Sequence, residues 1–256
     1  MTSNPLTQER FLEEAFHILS EAEKRGIILR LLGSVAVKLH CPEFGRLYEE
    51  ANRPLTDLDF MSYSRFNPIM RDFFTDLGYL PNESIIRYFG KYRHIYWHEE
   101  KSLQVDIFFD KLSFCHDIDF RRRLEIDSPT ITVTDILLEK MQIVEINEKD
   151  LKDTVVLLRE HEIANSSRET VDGKYVAKLL ADDWGFSYTV LTNLGKVRQY
   201  LGQFEPLADE DRRVISGRIQ EMVDLIENQP KSLKWKLRSK VGTKKRWYRE
   251  VEEVVR

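Results

Sequence analysis

Three aspartates have the spacing from which this sequence can do chemistry. Asp57 and Asp59 flank a leucine in Thr56-Asp57-Leu58-Asp59-Phe60, and Asp106 sits inside the apolar run Leu103-Gln104-Val105-Asp106-Ile107-Phe108. Strand side chains two apart share a face, so Asp57 and Asp59 should project together, with Cα atoms roughly 6 to 7 Å apart. Two carboxylates so placed can clamp a hard cation. Magnesium (Mg2+) takes oxygen ligands and keeps water and substrate phosphates in its shell, which suits two or three carboxylates at an open strand end; manganese (Mn2+) is the alternative ion. Upstream, Gly33-Ser34 follows the hydrophobic run 27–32. A glycine there lets the backbone approach a ligand, and amides at a helix start favour anionic oxygens, so the pair can hold phosphate.

Each part alone also has an ordinary reading. Gly-Ser pairs form turns, and an acidic pair at a strand end is often solvated or capping. A lone aspartate inside an apolar strand is harder to explain, because burying a carboxylate is costly without a charge partner. A divalent ion shared by three aspartates supplies one.

The surrounding pattern must position these groups. Apolar residues at helical spacing over 7–24 predict an amphipathic lead-in helix stopped by Gly26, then a buried strand over 27–32 and a short helix over 34–40. The segment 41–54 reads as a loop with a helical turn near 46–51, delivering the chain to a strand at 57–62. Asn67-Pro68 opens a helix that runs to about Leu77, with Gly78 as its stop. Three strand-like stretches at 84–89, 91–98 and 102–109 read as an antiparallel meander, 129–133 as a last short strand, and Thr134-Asp135 as the start of a helix reaching about Ile146. Beyond it only helices are expected, at 149–160, 172–182, 187–202, 209–227 and 233–254. The fold class is α/β: a mixed-sheet domain over 1–147, then an all-helical domain over 148–256 with a basic tail.

The order of the parts resembles the nucleotidyltransferase superfamily, whose fold is shared by DNA polymerase beta and the aminoglycoside nucleotidyltransferases. Its pattern is an apolar residue, Gly, Gly or Ser, a spacer, Asp-x-Asp or Asp-x-Glu, and a third carboxylate on a later strand. The resemblance assigns Gly33 and Ser34 to phosphate, and Asp57, Asp59 and Asp106 to metal binding and catalysis, with Asp106 as a candidate base. Ser34 and Asp57 stand farther apart than in minimal members, so 41–54 looks like an insertion. With Arg53 before the first aspartate, this is more similar to the AbiEii-type abortive-infection toxins. A second stretch fits that group: Lys140, Lys149, Asp150 and Asp153 match its substrate-binding lysines and acids. The same residues also read as an amphipathic helix with i, i+4 ion pairs.

What the resemblance implies is transfer of a nucleoside monophosphate from a nucleoside triphosphate to a hydroxyl acceptor, with pyrophosphate released. The alternatives are a noncatalytic nucleotide- or RNA-binding module of the same fold, or the toxin component of a toxin–antitoxin pair with a cognate antitoxin. Residues 231–249 hold nine basic side chains interleaved with Trp235, Trp247 and Tyr248. That is a candidate RNA-acceptor surface, but it reads first as a helix whose aromatics dock while its lysines face water. The aromatic stretch 87–98 reads as core and sheet surface, and His94, Tyr96 and Trp97 receive no role.

Composition narrows the classes. The net charge of −4 hides a tail, 231–256, with ten Lys or Arg against three Glu. No apolar run approaches the roughly 18 to 20 residues of a membrane span, so a cytoplasmic protein without membrane contact is expected. Cys41 and Cys115 lack metal-ligand or redox spacing. No Gly-x4-Gly-Lys-Ser/Thr or Gly-x-Gly-x2-Gly motif is present, which counts against P-loop kinases and dinucleotide enzymes.

Overall fold

A hydroxyl cap starts the chain's first helix. In the computed structural model, which describes residues 7–50, 55–166 and 168–251, the Thr7 side chain accepts from the Arg10 amide at 3.4 Å. Helix α1 (Gln8–Lys24) then buries Phe11, Ala15, Ile18 and Ala22, and Gly26, at φ +67°, turns the chain. Strand β1 (Leu29–Leu32) leads directly into α2 (Gly33–His40), and the loop after it carries the short helix α3 (Arg46–Glu50). There follow β2 (Leu58–Ser62), α4 (Asn67–Asp76), β3 (Leu80–Pro81), α5 (Glu83–Phe89), β4 (Arg93–His98) and β5 (Leu103–Phe109).

The chain divides into two units. The first comprises residues 1–39, 54–112 and 119–131, and the second 40–53, 113–118 and 132–256. The first is α/β, built on a mixed five-stranded sheet of order β1-β2-β5-β4-β3. Its one parallel pair is β2 with β5; the other neighbours are antiparallel. Leu58, Phe60, Val105 and Ile107 are fully buried along the central pair, each contributing about 1.5 to 3 kcal/mol. Phe74 of α4 stacks on Tyr96 of β4 at 4.6 Å between ring centroids.

Residues 84–89 are helical rather than extended. Ile85, Ile86, Tyr88 and Phe89 have strand propensity, but the Asn82 side chain caps the segment by accepting from the Ile85 amide at 3.1 Å. The expected three-strand meander is therefore one hairpin, β4–β5. The stretch near 129–133 makes a single parallel bridge, Leu31 with Thr130, and Thr132 then caps the next helix.

After short strands β6 (Lys111–Ser113) and β7 (Asp117–Asp119), the second unit contains α6 (Val133–Met141), α7 (Glu148–Glu160), β8 (Ile163–Ala164), β9 (Val171–Asp172), α8 (Gly173–Leu180), α9 (Trp184–Tyr200), α10 (Asp209–Asn228) and α11 (Leu233–Val241). Two expectations change here. The unit is not all-helical, because β8 and β9 pair in parallel, and helix α11 stops where Gly242 adopts φ +58° instead of running to 254. The later unit boundary lies at Thr132. Two earlier segments join it through specific contacts: the Glu160 carboxylate accepts the Glu43 and Phe44 amides at 3.1 and 2.9 Å, and the Val144 amide donates to Cys115 Sγ at 3.5 Å. Among the described residues no helix is long and apolar enough to cross a membrane.

Candidate functional site

In the first unit, strand register builds the site. Leu32, the last residue of β1, pairs with Asp59, and Asp59 pairs in turn with Asp106. In-register neighbours on adjacent strands point to the same face, so Asp59 and Asp106 lie side by side there. Asp57, one residue before β2, accepts the Thr56 hydroxyl at 2.9 Å, and its charge, like that of Asp59, acts on Arg93. Asp106 is 3% exposed, whereas Asp57 and Asp59 are half-buried.

The turn from β1 into α2 needs its glycine. Gly33 has φ +72°, and a Cβ added there would come 2.7 Å from Asp59 Oδ2. The carboxylate thus lies against the backbone at the start of α2, beside the buried Ser34. Gly33, Ser34, Asp57, Asp59 and Asp106 all belong to this unit.

Arg93 is the residue that sequence reasoning missed. Its Nε donates to Asp106 Oδ1 at 2.8 Å and its Nη2 donates to Oδ2. The guanidinium also stands over the Phe108 ring, 5.2 Å from its centroid. Burial alone pulls the Arg93 pKa down, but the hydrogen bonds and charge of Asp106, with Asp59 and Asp57 behind it, raise it on balance. The charge partner that a buried Asp106 demands is therefore present in the chain. The signal was the hairpin register: Arg93 opposes Phe108 and Ile95 opposes Asp106, which makes Arg93 the diagonal same-face neighbour of the acid.

Arg53 is outside the described residues. Lys140, Asp150 and Asp153 form a cluster within the second unit. The Lys140 ammonium lies 3.1 Å from Asp150 Oδ1, 3.0 Å from Asp153 Oδ2 and 3.9 Å from Glu139 Oε1, and the residue is 7% exposed. Burial opposes its charge, but the three carboxylates, Asp153 foremost, raise its pKa. Its donors are thus directed at acids of its own helix α6 and of α7, while Lys149 is exposed.

The basic tail docks its rings. Trp247 donates its indole N–H to Thr189 Oγ1 at 3.1 Å and meets Tyr188 and Trp184 at 5.1 and 6.5 Å between ring centroids. Arg238 lies over Trp184, and Arg249 donates to Asp117 at 2.7 Å. Lys234, Lys236, Lys240, Lys244 and Lys245 are exposed.

Comparison with known proteins finds no family model, no curated protein and no solved structure that matches the chain.

Proposed function

We propose that the first unit is a metal-dependent nucleotidyltransferase, moving a nucleoside monophosphate from a nucleoside triphosphate to a hydroxyl acceptor and releasing pyrophosphate. One observation supports this most: Asp59, the register partner of Asp106, has its carboxylate against the Gly33 backbone where α2 begins. A glycine turn, a helix start and adjacent carboxylates are thereby gathered at one strand end.

The donor set fits a hard divalent ion, being all oxygen and carried by a strand end. Asp57 and Asp59 would hold magnesium, which when bound stabilises the negative charge of the reacting triphosphate. The chain's own groups act by position. The Gly33 turn and the first amides of α2 orient phosphate oxygens. Arg93 fixes Asp106 through two parallel N–H donors, so that acid contributes an oriented negative charge beside Asp59. The acceptor oxygen attacks the α-phosphorus, the bond to pyrophosphate breaks, and the hydroxyl proton passes to a carboxylate of this group.

The Arg93 clamp favours a second reading, a noncatalytic nucleotide-binding module. A guanidinium on both Asp106 oxygens fills the place of a charge partner that the catalytic reading reserves for an ion. The test is magnesium-dependent pyrophosphate release and label transfer to bulk RNA from each of the four nucleoside triphosphates. The wild type is compared with Asp57→Asn and Asp59→Asn. The catalytic reading expects turnover that falls roughly hundredfold in either variant. Nucleotide binding without pyrophosphate release would establish the second reading, and absence of both would overturn the two together.

A further inference from the structure

His40, the last residue of α2, and His161, the residue after α7, are far apart in sequence and meet in the second unit. One ring nitrogen from each and a Glu169 carboxylate oxygen all lie within 4.8 Å of one another. We infer that His40, His161 and Glu169 form a binding site for a zinc-class divalent cation, built from residues of the second unit.

The hydrogen bonding of His161 is the second observation. Its Nδ1 lies 2.9 Å from the Glu169 carbonyl oxygen and its Nε2 lies 2.9 Å from the His40 carbonyl oxygen. A neutral imidazole has one N–H, so it can donate to only one of two carbonyls. The other contact sets lone pair against lone pair unless a positive charge intervenes. Either a second ring proton or a cation supplies that charge. His161 is 4% exposed and His40 7%, and burying an imidazolium is costly. A cation on one ring nitrogen removes the conflict when the carbonyl oxygen facing that nitrogen moves aside or joins the ion's shell, because a gap of 2.9 Å leaves no room for an ion in line between the two atoms. The other nitrogen then keeps its N–H bond to a backbone carbonyl, the outer partner that orients a metal-bound imidazole.

The donors suit a particular class of ion. His40 Nδ1 stands 3.4 Å from Glu169 Oε2. Ligands about 2.0 to 2.1 Å from a tetrahedral centre lie about 3.3 to 3.4 Å apart, so this edge already has the required length. Two imidazoles and a carboxylate favour zinc and its neighbours over magnesium, which prefers oxygen alone. Glu169 is exposed, so water can reach the group, as a three-ligand site that also binds water requires.

The test uses the full chain stripped by chelator, in millimolar magnesium to occupy hard oxygen sites. Zinc binding is read by calorimetry and cobalt binding by its visible spectrum, for wild type, Glu169→Gln and His40→Gln. The expected result is one tight equivalent per chain, with nitrogen-ligated cobalt bands. Affinity should drop roughly tenfold or more in each variant. Because Glu169 is exposed, its variant folds and decides the matter even if His40→Gln does not. No zinc or cobalt uptake by wild type, or equal uptake by Glu169→Gln, would overturn the proposal. A nitrogen-15 spectrum showing His161 doubly protonated at neutral pH, with no metal affinity, would show that a proton supplies the charge instead.

Discussion

Asp106 and Arg93 form a pair of unequal members: the acid's side chain is 5% exposed, while the arginine's keeps 27% of its surface. Removing the base strands a carboxylate in the sheet, whereas removing the acid leaves a guanidinium that reaches water. Arg93→Met should therefore cost about 3 kcal/mol and Asp106→Leu distinctly less, with the double variant recovering much of the larger loss. Urea midpoints for the four proteins measure this, and simple additivity of the single losses would show that the pair is not coupled. The same residues show what a sequence reveals. Asp57, Asp59 and the turn at Gly33 were legible because strand periodicity and glycine's backbone freedom are local properties. Arg93 was not, because its partner lies on the neighbouring strand and follows from the hairpin register, not from a local period.

At the scale of elements, the helix 67–76 and the central strands followed from strong local signals, Pro68 in the first helical turn and the unbroken apolar runs of β2 and β5. The misread segment, α5, buries none of its residues, so no apolar face announced its period, and a cap outweighed strand-like composition. A different cap-scale device holds the second unit. His116 stacks on Phe186 at 4.9 Å and meets Thr189 Oγ1 through Nε2 at 2.9 Å, the same oxygen that receives the Trp247 indole N–H. Burial pushes the His116 pKa down to about 4, so the folded protein holds the ring neutral. A histidine whose folded pKa lies below its unfolded value of about 6.5 stabilises the fold fully above pH 6.5, and that contribution is lost as pH falls toward 4. The urea midpoint should decline across that window, and His116→Gln should flatten the decline. An unchanged slope in the variant would assign the acid sensitivity to other groups.

Over the whole molecule, unit membership was the least legible property. Segments 40–50 and 113–118 join the second unit through contacts with partners distant in sequence, such as Glu160 and Gln142. The tail shows the same limit, since its charge pattern is compatible with an RNA track or a docked helix, and only the placement of its rings separates them. With Trp247 bonded to Thr189 and set against Tyr188, the tail contributes packing of the second unit, while its lysines face water. Truncation after Gln229 should therefore lower the thermal midpoint and alter tryptophan fluorescence. Reversing Lys236, Lys240 and Lys244 to Glu should leave the midpoint nearly unchanged, because exposed charges far from ion partners contribute little. The charge-reversed protein is then the proper instrument for the acceptor question, since it removes the electrostatic track without unseating the rings. If its RNA affinity and salt dependence match the wild type, the tail is structural; if the affinity falls and the salt slope flattens, the exposed lysines contact phosphates.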